Sequence, residues 1–192
     1  MTRFTLKRYG KVALEFLIYF AITFVVFFVV TLLLGKSVAG TENTSSATLF
    51  KIEIDEVLDG DTVAYHKAVG KILIRTRIRL YGIDAPESTQ PFGKESAIHL
   101  SNLVQNKTCY LQIIDIDQYG RELGILYVDA QDINDQMVLS GYAYAYPFTR
   151  PVSNNLKFHE QFAKANKLGV WSSNKALQLP WEYRKEKNKR VK

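Results

Sequence analysis

Ile72-Leu73-Ile74-Arg75-Thr76-Arg77-Ile78-Arg79-Leu80-Tyr81 alternates, through its second half, between arginines and apolar or β-branched side chains. Successive side chains of a strand point to opposite faces, so Arg75, Arg77 and Arg79 share one face, with Ile74, Thr76, Ile78 and Leu80 on the other. One face is committed to a core and the other is left to water or to an anionic partner. The strand runs into Gly82-Ile83-Asp84-Ala85-Pro86-Glu87, where carboxylates crowd around a strand end.

Working outward, the same alternation predicts strands over Thr48–Val57, Thr62–His66, Thr108–Ile114 and Glu122–Asp129. Asp59-Gly60 is a tight-turn signal between the first two strands. Helical spacing over Lys94–Gln105 aligns Ala97, Leu100, Leu103 and Val104; a short helix fits Asn134–Leu139 and a longer one Asn155–Lys167, with Gly169 as its stop. Five short strands, a helix after the third and further helices at the end suit an OB-type barrel, although periodicity alone leaves other small α+β folds open.

The 192 residues allow one compact domain plus an appendage. The net charge of +6 is carried by the two ends. Residues 1–40 hold five Lys or Arg against one acid, and 181–192 hold six against two, which leaves the middle slightly acidic. Bulk charge is therefore no argument for nucleic-acid binding, and individual arginines must carry it. The single cysteine, Cys109, excludes an intramolecular disulfide and reads as a small buried residue among β-formers rather than a nucleophile.

From Phe16 to Leu34 there is no charge, glycine or proline. About nineteen residues at ~1.5 Å each nearly cover the ~30 Å hydrocarbon core of a bilayer. Arg3, Lys7, Arg8 and Lys11 precede the run, so the positive-inside rule puts the N-terminus in the cytoplasm and the rest of the chain outside. The chain is thus divided into a basic segment 1–11, a transmembrane anchor or uncleaved signal 12–35, a flexible linker 36–47, a folded domain 48–175 and a basic tail 176–192. Ser37-Val38-Ala39 has the spacing of a cleavage site, and cleavage there would give a secreted protein instead. The tail reads as a solvated, frayed terminus, or as a binder of nucleic acid or anionic surface polymers.

Three short clusters concentrate chemistry at strand ends: Asp59-Gly60-Asp61-Thr62, Arg79 through Glu87, and Asp117-Gln118-Tyr119-Gly120-Arg121. Each alone reads as a turn or a strand end. Together they offer hard oxygen ligands for a cation, a carboxylate to orient water, and guanidinium groups for an anionic phosphorus centre.

These clusters and Leu168-Gly169-Val170-Trp171 occur in the order and approximate spacing of the staphylococcal nuclease family, which the chain resembles over about residues 48–173. The resemblance implies a five-stranded OB-fold β-barrel with about three helices, here preceded by the transmembrane helix. It implies one divalent cation, Ca2+, held by the carboxylates of Asp61 and Asp84 and the backbone carbonyl of Ala85, where the family more familiarly has threonine. It implies that Arg79 and Arg121 grip the scissile phosphate of DNA or RNA and that Glu87 orients or deprotonates the attacking water. Tyr146 and Tyr144 fall where the family places nucleotide-contacting tyrosines, although a tyrosine row on a strand also suits packing. A monomer acting on nucleic acid and tethered to the membrane is expected. The alternative is an inactive module of the same fold that binds nucleic acid or protein at the membrane surface. His66, His99 and His159 match no family role, and the segment Ser88–Lys94 is shorter than the corresponding loop of secreted members.

Overall fold

The computed structural model describes residues 48–149 and 153–190. The segments 1–11, 12–35 and 36–47, with the expected membrane span, lie outside the described residues. Among the described residues no helix is long and apolar enough to cross a membrane.

The described chain runs β1 (Leu49–Ile52), β2 (Glu56–Val57), β3 (Thr62–Val69), β4 (Ile72–Leu80), β5 (Ile83–Asp84), α1 (Gly93–Val104), β6 (Cys109–Ile116), β7 (Glu122–Val128) and β8 (Gln131–Asp132). It continues through α2 (Ile133–Leu139), β9 (Tyr144–Ala145), α3 (Asn154–Ala165), a 3-10 turn (Gly169–Ser172) and α4 (Pro180–Arg190). The α+β class stands.

Of the expected five-stranded OB-fold β-barrel, the described residues show an OB-like mixed sheet and no closed barrel. The hydrogen-bonded path is β1-β6-β7-β4-β3-β2, open between its two ends, with β8 on β7 and a separate pair β5-β9. Its ends are two pieces of the one strand expected over 48–57: β1 pairs with β6 through Ile52↔Cys109, and β2 with β3 through Val57↔Val63. A strand that leaves one neighbour for another must bend between them, and Glu53-Ile54-Asp55 is that bend. The result is the partly open arrangement of an OB-like sheet. All pairings are antiparallel except β4 with β7, whose register matches Arg79 to Leu123.

Helices number four among the described residues rather than three, because the tail expected to fray forms α4. Pro180 opens it with a preset φ, Leu179 O accepts from the amides of Glu182 and Tyr183, and Lys187, Lys189 and Arg190 lie at its electronegative end. Trp181 then packs edge-on against Tyr144, Tyr146 and Phe148.

Val63, Ile78, Leu111, Leu126 and Met137 are fully buried, and α1 adds Ser96, Leu100 and Val104 at a four-residue interval along one face. Buried Asn134 ties the end of β4 to β7. Its Nδ2 donates to the carbonyls of Tyr81 at 2.9 Å and Gly124 at 3.1 Å, and its Oδ1 accepts from the Leu126 amide at 3.2 Å. A β-carbon on Gly124 would come 2.5 Å from Leu111 Cδ1 and 3.0 Å from the Gln112 carbonyl oxygen, so a larger residue there would have to push both aside.

Candidate active site

The turn before β3 is built by its first aspartate. Asp59 Oδ1 accepts from the Asp61 amide at 3.0 Å, the local closure that makes Asp a turn residue. A β-carbon on Gly60 would lie 2.6 Å from the β-carbons of both Ala85 and Ser96, so glycine lets the turn press against that loop and α1. Asp61 Oδ2 consequently accepts from the Ala85 amide at 2.7 Å, and Oδ1 from Thr62 Oγ1 at 2.9 Å.

Arg79, near the end of β4, bridges the two motif aspartates. Its Nη2 donates to Asp84 Oδ1 at 2.6 Å, and its Nη1 forms an ion pair with Asp61 Oδ2. Asp84 is held by β5, whose pairing with β9 sets Asp84 opposite Tyr144, and is fully buried. Burial opposes the charge of Asp61, but Arg79 and the Ala85 amide outweigh it and hold that carboxyl below its usual range. Burial drives Asp84 the other way, upward, only partly offset by its arginines. Burial and the Asp61 charge push Asp59 up to about 7. Carboxylates crowded in this way gain from added positive charge.

Arg121 reaches the same cleft through the parallel pairing. It lies two residues before Leu123, the register partner of Arg79, so both arginines lie on one face of the sheet. Its Nε donates to Asp117 Oδ2 at 2.7 Å, and Asp117 Oδ1 accepts from the amides of Tyr119 and Arg121. Burial raises the Asp117 carboxyl, but these hydrogen bonds hold it below its ordinary range.

Glu87 stands at the rim, its side chain 35% exposed. The short loop after it is pinned by Gln90, which accepts from the Glu87 amide at 3.0 Å and donates to the Gln178 carbonyl at 2.9 Å. A β-carbon on Gly93 would come 2.0 Å from the Glu87 carbonyl oxygen, so the shortened loop closes only over glycine.

A cleft of about 830 Å³ gathers Asp59, Asp61, Arg77, Arg79, Glu87, Arg121 and Tyr146. Asp84 and Ala85 do not line it: both are buried, Asp84 accepting from Arg79 and Ala85 giving its amide to Asp61. Tyr144 requires correction: it is 2% exposed and packs edge-on against Trp171 and Trp181, so it is a packing residue. Arg75 is spent on Glu56 at the exposed face of the sheet. His66 pairs with Asp55, His99 with Ser140 Oγ, and His159 with Asp135, away from the cleft.

Sequence reasoning missed two residues. Asp59 was legible only as a turn former. Arg184 of α4 lines the cleft, donating to Asp84 Oδ2 at 2.8 Å and Glu87 Oε1 at 2.7 Å. The signal for it was Pro180-Trp181, a helix start carrying an aromatic anchor inside a run otherwise read as solvated.

Among the described residues no group of three or more His, Cys, Asp or Glu forms a ready cage for a metal. The donors that fit a hard cation are two buried carboxylates, Asp61 and Asp84, both touching Arg79. A calcium-type shell can take a backbone carbonyl and waters for the remainder.

Residues 77–173 match the family model described as staphylococcal nuclease homologue. The chain is similar to the micrococcal nuclease of Shigella flexneri, 35% identical over 146 residues, 71% of this chain and 81% of that protein. It is similar also to an uncharacterized endonuclease of Escherichia coli O157:H7, 38% identical over 137 residues, 68% of this chain and 82% of that protein. A 38.1 kDa protein of Capnoides sempervirens is 42% identical over 113 residues, 58% of this chain and 32% of that protein. The chain spans about a third of the length of such plant relatives.

Proposed function

The chain belongs to the staphylococcal nuclease family, and from that premise we propose that it is an endonuclease hydrolysing phosphodiester bonds of DNA or RNA with one divalent cation, calcium. The observation that carries this reading is the convergence of Arg79, Arg121 and Glu87 on one cleft. A phosphoryl oxygen is an acceptor that the planar fork of a guanidinium group suits.

Asp61, Asp84 and the carbonyl of Ala85 would hold the cation. When bound, it supplies neutralisation of phosphate charge. The chain's own residues do the rest. Arg79 and Arg121 meet the phosphate from adjoining strands and bind more tightly as negative charge builds in the transition state. Glu87, reachable by solvent at the cleft rim, orients a water and takes its proton. Tyr146, on the cleft wall, stacks on a base or donates to a neighbouring phosphate.

The site's completeness weighs against the inactive binding module, since Asp61, Arg79, Asp84, Glu87 and Arg121 are all present. The apolar run within 12–35 and its basic flank support a single-pass anchor with the domain outside the cytoplasm, acting as a monomer at the membrane surface. The test is cleavage of single-stranded and duplex DNA and RNA with calcium, magnesium or chelator. Cleavage that calcium restores after chelation is expected; binding without cleavage under every condition would leave the inactive module.

A further inference from the structure

Both carboxylate oxygens of Asp84 are taken by guanidinium groups. Oδ1 accepts from Arg79 Nη2 at 2.6 Å and Arg184 Nη1 at 3.1 Å, and Oδ2 accepts from Arg184 Nη2 at 2.8 Å. Arg184 Nη1 also donates to Glu87 Oε1 at 2.7 Å. The two arginines are held differently. Arg79 is 12% exposed, wedged between Asp61 and Asp84 on a central strand. Arg184 is 38% exposed and borders the cleft from a helix with solvent beside it. Asp84 itself is fully buried and has nowhere to go.

A hard cation coordinates through the same carboxylate lone pairs that the arginine fork uses. It is also repelled by a guanidinium charge a few ångströms away in a poorly solvated cluster. A cation bound to Asp84 must therefore displace a guanidinium group, and Arg184 is the one free to leave.

We propose that Arg184 sets the cation affinity of this site, as a tethered guanidinium that competes with the cation for Asp84 and swings into the cleft when the cation binds. The inference rests on the reading of Asp61 and Asp84 as cation ligands. It makes cation binding and the seating of α4 reciprocal, since whatever weakens one partner's hold on Asp84 strengthens the other's. α4 is otherwise seated by Trp181 against Tyr146 and Phe148, and by a hydrogen bond between Tyr183 and Thr89 at 2.8 Å.

The experiment is calorimetric titration of the full chain with calcium, for the wild type, Arg184→Gln, Arg184→Lys and Asp84→Asn, each checked for its fold by circular dichroism. Arg184→Gln should bind calcium roughly tenfold tighter or more. Arg184→Lys, which keeps the charge without the two-pronged contact, should fall between. In the wild type, calcium should also speed hydrogen exchange across 180–190. Equal or weaker calcium binding by Arg184→Gln, with binding lost in Asp84→Asn, overturns the competition while leaving the ligand assignment intact. A wild type that binds no calcium overturns the ligand assignment, and this inference with it.

Discussion

The carbonyl oxygen of Gly141 lies 2.1 Å from where a β-carbon on Gly169 would sit, and the Gly169 turn is closed back onto Gly141 by a hydrogen bond from the Val170 amide at 2.9 Å. Both glycines have positive φ, +77° and +49°. This contact staples the end of α2 to the turn after α3. Gly141→Ala and Gly169→Ala should each cost about 2–4 kcal/mol of unfolding free energy in a denaturant titration, since backbone atoms cannot yield. Gly120→Ala, at φ +74° with open space around it, should cost only about 1 kcal/mol.

Asn134 replaces three backbone partners at the seam between β4 and β7. Asn134→Ala should lower stability by about 1–3 kcal/mol, because the buried Leu126 amide loses its side-chain acceptor. The same change should reduce turnover at temperatures where the chain stays folded, because the seam aligns Arg79 with Arg121.

Glu87→Gln should depress turnover by about 100-fold or more, with little change in substrate affinity, if it supplies general-base catalysis. Arg79→Lys and Arg121→Lys should lower turnover well beyond Arg75→Lys, whose target is the exposed Glu56 pair. Steady-state kinetics on one oligonucleotide separate these classes. Near-normal cleavage by a well-folded Glu87→Gln, Arg79→Lys double variant would put the site elsewhere.

Cys109 is buried, and burial pushes its thiol up to about 11. A folded-state value above the unfolded one contributes stability that is present below the ordinary thiol range and is lost as pH rises through about 11. The unfolding midpoint should fall over that alkaline window by more in the wild type than in Cys109→Ala. At pH 8 a thiol-alkylating reagent should label the chain only after denaturant is added.

Much of this was legible in the sequence because its signals are local. The alternation around Arg75 to Leu80 located β4, and the motifs placed Asp61, Arg79, Glu87 and Arg121 in one cleft. The break at Glu53-Ile54-Asp55 was not legible, since the bend comes from β6 and β3 claiming different halves of one apolar stretch. Tyr144 and Tyr146 look alike in the sequence, and only tertiary packing separates them: Tyr144 is buried against Trp171, while Tyr146 lines the cleft. Arg184 was hidden for a similar reason: its carboxylate partners lie 97 and 100 residues away in the chain.

The parallel seam between β4 and β7 also bears on when the cleft is assembled. The hairpin β3–β4 and the pair β6–β7 each form between neighbouring stretches, whereas the seam must close the whole excursion from Leu80 to Glu122. Such a closure spends chain entropy before its contacts repay any, so it belongs to the slow stage of folding. Arg79 and Arg121 do not line a common cleft until then. On the reading proposed above, a half-folded molecule that already has its hairpins still has no assembled cleft.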